Sequence, residues 1–169
     1  MGSGSAQAFS LIPSHAPAFI AGSRGETSGS KMKTTTSRPI PVPDERSAEF
    51  FKAAQQGRLL IKRCPACGRN LAPQKEICDG CSNEALEWVQ ASGQGSIYSF
   101  VVMHQLLHPA FKDEVPYNVI VVELDEGPRL TSNLVGSANN EIKVGQRVEA
   151  VFEEVSDDVA IPKFRKAVE

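Results

Sequence analysis

Apolar residues in the first part of the folded region follow a helical pattern. Asp44 and Ser47 are residue types that cap helix N-termini, the run 48–55 is rich in helix formers, and Gly57 stands where helices commonly end. This pattern predicts one short helix. Two adjacent phenylalanines within it, Phe50 and Phe51, indicate that the helix docks either onto the domain's own core or onto a second subunit.

From Leu59 onward, apolar and polar residues alternate with period two and β-branched residues become common, which is typical of strands. The predicted strands are 59–62, 86–90, 96–104, 117–124, 129–135, 147–153 and 161–165. A hairpin turn at 125–128 connects two of them. Because no long helix separates the last five strands, they predict a small antiparallel barrel rather than a doubly wound parallel sheet.

The N-terminal residues have a different composition from the rest of the chain. Residues 1–31 are mostly Gly, Ser, Ala and Pro, and such a segment buries too little apolar surface to become ordered. The opening Met-Gly-Ser-Gly-Ser and a second methionine, Met32, predict a disordered expression leader or tag, with a natural disordered tail as the alternative. Residues 32–57 are predicted to form an extended arm and then the helix.

Composition excludes several classes of protein. The chain has 169 residues, 41% of them hydrophobic, which is enough for one core. No apolar run approaches the roughly 20 residues of a transmembrane helix, and prolines interrupt the one candidate signal peptide. Four clustered cysteines are too few for a disulfide scaffold. We therefore expect a cytoplasmic protein in a reducing environment, with no membrane partner.

Two Cys-x-x-Cys pairs separated by ten residues are the strongest chemical signal. They consist of Cys64, Cys67, Cys78 and Cys81. Both thiolates of such a tight turn can face one ion about 2.3 Å away, and two turns complete a tetrahedral site. This predicts a structural zinc, since four thiolates leave no open coordination position. The alternatives are rubredoxin-type iron, two redox dithiols or four unrelated structural cysteines. Gly68 and Gly80 are expected to permit the close backbone approach and the unusual dihedrals that these turns need.

A barrel beside a zinc ribbon also occurs in proteins that bind single-stranded nucleic acid. That function needs a positively charged groove with stacking aromatic residues. Residues 96–169 contain seven Lys and Arg against twelve Asp and Glu, which is a local net charge of −5. A groove of that charge repels phosphates, so nucleic-acid binding is the least favoured function.

Longer motifs extend from about residue 47 to residue 164. They are GRLLIKRCPACG at 57–68, Pro73, the second cysteine pair, LEW at 86–88, SGQGSIYSF at 92–100, HPAF at 108–111, Pro116-Tyr117, ELDEGPRL at 123–130, NLVG at 133–136 and PKF at 162–164. In these motifs the chain resembles the zinc-ribbon/OB-fold acyl-CoA-associated family known as DUF35. The resemblance implies a mainly β fold, with an N-terminal helix, a rubredoxin-like zinc ribbon at 58–91 and a five-stranded OB-fold barrel at 92–169.

The resemblance also implies a function. Members of this family are usually small subunits that brace thiolase-fold acyltransferases, thiolases or lipid-transfer-protein-like aldolases, and the partner carries the catalytic residues. We therefore expect a non-catalytic accessory subunit of a hetero-oligomer that helps form its partner's acyl-CoA site, whether for thiolysis, acyl transfer or retro-aldol cleavage. A stand-alone acyl-CoA-binding protein is the first alternative.

Few other side chains invite a chemical role, and we expect no catalytic residue. The barrel histidines, His104 and His108, have no nucleophile near them in sequence. The loop 105–116 that carries His108 is expected to lie at the mouth of the partner's active site. Trp88 is expected where ribbon meets barrel. The candidate contacts to coenzyme A phosphates, with ordinary solvated charges as the alternative, are Arg58, Lys62, Arg63, Arg69 and Lys75.

Overall fold

A computed structural model of the chain describes residues 38–168. The leader or tag predicted for residues 1–31 lies outside the described residues, as does the start of the predicted arm. The arm that is described leads into a single helix, α1 (Ala48–Gln55), which has the predicted bounds. In the described part of the chain, no helix is long and apolar enough to cross a bilayer.

Both ends of α1 are closed by local hydrogen bonds. At the start, the Asp44 carboxylate accepts the backbone N–H of Ser47 at 2.8 Å, while the Ser47 side chain makes no capping bond to the helix. At the end, Gly57 takes a φ of +70° and donates to the Ala54 carbonyl at 3.0 Å, and the next N–H returns to Ala53. This is the Schellman arrangement, in which glycine is preferred because of its positive φ.

Three short strands form the ribbon sheet. They are β1 (Leu60–Arg63), β2 (Asn70–Leu71) and β3 (Glu87–Gln90), in the antiparallel order β2-β1-β3. The positions predicted for β1 and β3 are confirmed to within one residue. Alternation did not predict β2, because two residues are too few to show a period.

Five longer strands form the second sheet. They are β4 (Gln94–Met103), β5 (Tyr117–Leu124), β6 (Arg129–Ser132), β7 (Arg147–Ser156) and β8 (Val159–Lys166), in the order β6-β5-β4-β7-β8. The sheet curls so that its two outer strands meet: after β6, Leu134 forms a parallel bridge with Phe164 of β8. The Val135 N–H donates to the Phe164 carbonyl at 2.8 Å. The predicted mainly β fold with a five-stranded OB-type barrel is confirmed.

One apolar core lies inside this curled sheet. Its buried members are Leu59, Ile61, Ala91, Ile97, Ile120, Val122, Leu124, Leu134, Ile142, Val148 and Phe164. Along β5 alternate residues point inward, which is the period-two pattern seen in the sequence. Leu59 and Ile61 come from the ribbon side of the molecule, so the base of the ribbon shares the barrel's core. The domain boundaries expected near residues 57 and 91 stay predictions.

Candidate functional site

The two cysteine turns have the same backbone design. In the first, the Cys64 N–H donates to the Arg69 carbonyl at 2.9 Å, and the Gly68 N–H returns to the Cys64 carbonyl at 2.8 Å. In the second, Cys78 and Asn83 form the equivalent bond at 2.9 Å. These bonds wrap each turn around its own pair of thiols, so that all four sulfur atoms point to one place.

The sulfur geometry fits a tetrahedral zinc ion. The Sγ atoms of Cys64 and Cys81 are 3.5 Å apart, as are those of Cys67 and Cys78, and all four lie within 4.8 Å of one another. In a zinc–thiolate tetrahedron with bonds of about 2.3 Å, neighbouring sulfurs lie about 3.8 Å apart. The predicted ligand residues are therefore brought together, at separations close to those that the ion requires.

The thiols cannot ionise independently. Burial raises the pKa of Cys64, but N–H donors from the turn and from the Asn83 amide lower it to about 6. At Cys81 a backbone N–H of Asn83 lowers the pKa, whereas the neighbouring thiols raise it to about 12. One thiolate thus opposes formation of the next. A bound dication would remove that opposition and hold all four cysteines as thiolates.

A small apolar cluster supports the thiols on one side. The first cysteine of each turn is buried and packs with Leu71 and Leu86, whereas Cys67 and Cys81 are exposed. The cluster has so few members that it gives this end of the ribbon little core of its own. The cysteine site therefore lies at the surface and opens to solvent through the second cysteine of each turn.

The unusual dihedral predicted for the turn glycines is confirmed at Gly68 but not at Gly80. Gly68 has a φ of +73°, as expected, but the equivalent left-handed position of the second turn is Ser82, with a φ of +58°. Gly80 does not adopt a positive φ. Its Cα is instead closely approached by the Arg69 guanidinium, since a Cβ added there would lie 2.8 Å from Nε. Ser82 follows its cysteine as Gly68 does, and this equivalence was the signal that could have identified it.

Asn83 is a functional residue that the sequence interpretation missed. Its side-chain amide lies 3.6 Å from the Cys64 sulfur and also donates to the Ala85 carbonyl at 3.0 Å. An amide donor two residues after a Cys-x-x-Cys pair is the signal that could have identified it. By donating to a thiolate, Asn83 helps hold Cys64 in the charged form that a metal needs.

The five basic residues predicted to meet coenzyme A have different surroundings, although Lys75 and Arg69 share one acidic neighbour. Arg58 donates to Gln56, and Lys75 forms an ion pair with Asp79 at 3.3 Å. Arg69 also lies close enough to Asp79 to help lower the pKa of that carboxyl. Arg63 is exposed at the end of β1, and Lys62 lies half-buried over Trp88. Of the five, Lys62 lines the groove beside Trp88, and Arg58 lines a separate pocket that the same ring also lines.

Trp88 lies in a groove of about 520 Å³ that helix, ribbon and barrel all line. Phe50 stacks beside its indole at 6.3 Å between centroids, and the Lys62 ammonium lies 4.8 Å from the ring centroid. Phe51 and Leu130, from α1 and β6, complete the apolar wall. This position agrees with the one expected for Trp88, and Phe50 packs against the domain's own core.

The two histidines beyond β4 have ordinary structural surroundings. His104 is exposed. His108 caps the short 3-10 turn Pro109–Phe111: its Nδ1 accepts the N–H of Ala110 at 3.2 Å, and its ring meets Phe111 edge-on at 6.0 Å. Neither arrangement places a nucleophile beside an imidazole.

Comparison with known proteins gives two adjacent matches to family models. Residues 51–87 match the rubredoxin-like zinc ribbon domain of ChsH2, and residues 88–153 match the C-terminal OB-fold domain of ChsH2. Together they span more than half of the chain and include the cysteine turns and most of the barrel.

Individual relatives carry the same domains. The chain is 40% identical over 143 residues to a probable enoyl-CoA hydratase alpha subunit of Thermomonospora curvata, which covers 85% of this chain but only 44% of that protein. This chain therefore spans less than half the length of that relative. It is also 34% identical over 101 residues to a DUF35 domain-containing scaffold protein of Methanocaldococcus jannaschii, covering 59% of this chain and 71% of that one.

A solved structure gives the corresponding result in three dimensions. A chain of the Ltp2-ChsH2(DUF35) aldolase superposes with a TM-score of 0.67 and 40% sequence identity. The match covers 76% of this chain and 100% of the solved one. The similarity thus holds for the fold and the sequence together.

Proposed function

Because this chain belongs to the DUF35 family of zinc-ribbon/OB-fold proteins, we propose that it is a non-catalytic accessory subunit of an acyl-CoA-processing enzyme complex. It binds a thiolase-fold or lipid-transfer-protein-like enzyme and helps form that enzyme's acyl-CoA site. The complex is a hetero-oligomer, and the cytoplasm is its expected location. Neither nucleic acid nor membrane is among its proposed partners.

The observation that carries this proposal is the naming of the relatives as parts of assemblies. The solved relative is named together with a second protein, Ltp2, as an aldolase. The Thermomonospora relative is named as the alpha subunit of a probable enoyl-CoA hydratase, and the Methanocaldococcus relative as a scaffold protein. These names favour an accessory role for this chain in an acyl-CoA-processing complex.

The side chains of this protein agree with a non-catalytic role. Its four cysteines are clustered in a metal-type arrangement, and His108 is engaged with the backbone beside it. A closed site of four thiolates leaves no position for substrate, so zinc bound there would act as a structural cross-link. The reacting groups of the complex are then assigned to the partner.

The groove beside Trp88 is the proposed contribution of this subunit to coenzyme A binding. It combines an aromatic wall with the Lys62 ammonium, which can meet a phosphate by a charge-assisted hydrogen bond. Arg58 and Arg63 lie at either end of the chain segment that carries Lys62, and Arg69 and Lys75 lie on the ribbon beyond it. Of the five candidates we place most weight on Lys62.

Co-expression tests the proposal. The chain is produced together with the thiolase-like or aldolase-like protein encoded beside it, and acyl-CoA turnover is measured for the partner alone and for the complex. We expect the two proteins to co-purify in fixed stoichiometry and the complex to be the more active form. A stable monomer that binds acyl-CoA and has no affinity for such enzymes would instead support the stand-alone binding protein.

Histidine variants test whether the chemistry resides on this chain. His104→Ala and His108→Ala should each leave turnover of the complex within about tenfold, or roughly 1.4 kcal/mol of barrier. Loss of a general acid or base typically costs a hundredfold to ten-thousandfold. A thousandfold loss with assembly and zinc content intact would assign catalysis to this chain.

A further inference from the structure

In the described part of the chain, the second half of β4 has an edge without a strand partner. We propose that this edge, residues 98–103 of β4, receives an extended strand of the acyl-CoA enzyme, which adds to the barrel sheet by backbone hydrogen bonds. The inference rests on the proposed function, because it takes the occupant to be the partner enzyme named there. It adds where the two proteins meet and by which contacts.

β4 is paired on both sides only in its first half. Toward β7 its ladder runs from Gln94 to Ser96, and the last bonds on that side join Ile97 to the turn that precedes β7. Toward β5 the ladder continues to Met103. A bulge at Tyr98 marks the point where β4 leaves β7. Bulges bend a strand, so the second half of β4 diverges from β7 and is paired only with β5.

Successive residues of a strand direct their N–H and C=O groups to opposite sides, so the groups of β4 that do not bond to β5 can be identified. The Gln94 carbonyl accepts the N–H of Asp125, directly after β5, so odd-numbered residues of β5 face β4. Val101 lies opposite an odd-numbered residue and is therefore bonded to β5. Phe100 and Val102 lie opposite even-numbered residues, and their N–H and C=O groups point to the open edge. Six residues give an edge of about 20 Å, enough for one added strand.

The side chains along this edge lack the usual protection. Natural edge strands carry lysine, proline or other charges that discourage pairing, but residues 98–103 read Tyr-Ser-Phe-Val-Val-Met. Tyr98 and Val101 are each 49% exposed, and Phe100 is 38% exposed. The apolar surface continues past the strand into the loop, where Leu107 is 64% exposed. An uncharged edge of this length is either covered in the working assembly or prone to aggregation.

The other end of the sheet provides a contrast. Beyond its ladder with β4, β7 carries Glu153 and Glu154, and α1 packs against β7 and β8. The Gln55 side chain of α1 donates to the Asp157 carbonyl at 2.7 Å, at the tip of the β7–β8 hairpin. That hairpin is thus charged at its edge and packed against this chain's own helix. Residues 98–103 of β4, by contrast, carry no charged side chain of their own, and the nearby charge is Arg129 of β6, which stacks on the Tyr98 ring.

The partner enzyme is the occupant to which we commit, rather than a second copy of this chain. The solved relative is named together with a different protein. The match covers the whole length of that relative's chain. An added strand would account for the unpaired backbone groups and for the exposed apolar side chains of this edge. The backbone of the added strand pairs with Phe100 and Val102, and its side chains contact the apolar groups on the two faces of β4.

Amide hydrogen exchange tests the pairing directly. In the isolated chain, the amides of Phe100 and Val102 should exchange rapidly, while those of Val101 and Met103, which face β5, are protected. In the complex with the co-expressed enzyme, Phe100 and Val102 should gain at least tenfold protection. If these two amides are already protected in the isolated chain, then a second copy or the chain's own N-terminal residues cover the edge, and the inference is wrong.

Two matched pairs of variants test the same contact by affinity. Val102→Pro removes an edge N–H for which residues 38–168 provide no partner, whereas Val102→Ala keeps it. Val101→Lys places a charge on the edge, whereas Val101→Thr does not. We expect the proline and lysine variants to weaken the complex at least tenfold relative to their controls, with zinc content unchanged. The lysine variant keeps the test valid if the proline variant fails to fold.

The outcomes separate this inference from the proposed function. If the wild-type complex forms but all four variants bind the enzyme equally well, the inference is overturned and the accessory function stands. If the wild-type chain binds no acyl-CoA enzyme at all, the proposed function fails and the inference falls with it.

Discussion

The cysteine end of the ribbon and the interior of the barrel are held together in different ways. At the cysteine end, the buried cluster consists of Cys64, Leu71 and Cys78, with Leu86 packed against it. The barrel core has eleven buried members from both sheets and the segments between them. At about 25 cal/mol per Å² of apolar area, only the second cluster can offset the entropy of ordering its own chain. The first needs a cross-link.

Strand β1 connects the two regions. Ile61, in its first half, packs in the barrel core, and Cys64, directly after its last residue, belongs to the cysteine cluster. Strand β2 is joined to the barrel by a polar contact, in which Asn70 donates to the Glu126 carbonyl at 3.1 Å. Loss of the metal should therefore loosen the cysteine turns and β2, whereas β4–β8 should stay folded.

Removing a zinc ligand is the change with the largest expected effect. Structural zinc contributes about 10–16 kcal/mol of apparent free energy in small metal-dependent modules. Cys67→Ser should reduce bound zinc from about one per chain to near zero and release the amides of the cysteine turns to rapid exchange. The barrel amides should stay protected. Elemental analysis and hydrogen exchange on the same sample measure both effects.

The control for this variant is Ala66→Ser, which changes the neighbouring exposed residue to the same side chain and should retain zinc. Full metal retention in Cys67→Ser, or iron in place of zinc in the wild type, would contradict the assignment. Unfolding of the barrel together with the turns would erase the contrast between the two regions.

A cavity in the barrel should give the opposite result. Phe164 is 1% exposed and sits where β8 meets the segment after β6. Phe164→Ala should lower the free energy of unfolding by about 3–5 kcal/mol, through lost burial and the cavity left behind. Urea denaturation measures this loss, and the zinc content of the folded protein should not change. Val144→Ala, at a residue 65% exposed, is the control and should change stability little.

Much of this contrast could be predicted from the sequence, because its main signals are local. The bounds of α1 follow from a run of helix-forming residues that ends before Gly57. Those of β5 follow from the strict alternation of inward- and outward-facing residues. The cysteine spacing identified all four members of the metal-type cluster. In each case neighbours along the chain carry the information.

The features that escaped prediction depend on residues far apart in the chain. Closure of the barrel is made by Leu134 and Phe164, thirty positions apart, and no local period reports such a bridge. The same holds for the free edge of β4, which exists because β7 pairs only with its first half. Asn118 is similar: in the sequence it is a polar residue near the start of a mostly apolar strand, and its role depends on partners beyond β6.

Asn118 gives a third, intermediate prediction for the barrel side. Its buried side chain accepts the Leu134 N–H at 2.6 Å and donates to the Leu134 carbonyl at 2.9 Å, which fixes the closing segment. Asn118→Ala leaves these buried groups without partners and should cost about 1–3 kcal/mol of unfolding free energy. Asn140→Ala, at an exposed neighbouring asparagine, is the matched control. Equal effects for the two variants in thermal denaturation would show that Asn118 does not close the barrel.

The smallest expected effect lies within the cysteine turns, where Gly68 and Ser82 occupy equivalent left-handed positions. A non-glycine residue there carries backbone strain of about 1 kcal/mol, partly offset by the lower entropy of its unfolded chain. Ser82→Gly should therefore strengthen the turn by roughly 0.5 kcal/mol, and Gly68→Ala should weaken it by about 1 kcal/mol, since no atom lies within 4 Å of the added Cβ.

Because ordering of these turns is coupled to the metal, both effects should be measurable as zinc affinity in competition with a chelator. We expect affinity to rise about twofold for Ser82→Gly and to fall about fivefold for Gly68→Ala, the two free energies converted at 1.4 kcal/mol per factor of ten. The midpoint of barrel unfolding should stay constant in both. A shift of that midpoint with unchanged zinc affinity would show that the two substitutions act on the stability of the barrel. It would contradict the view that the cysteine turns and the barrel are stabilised separately.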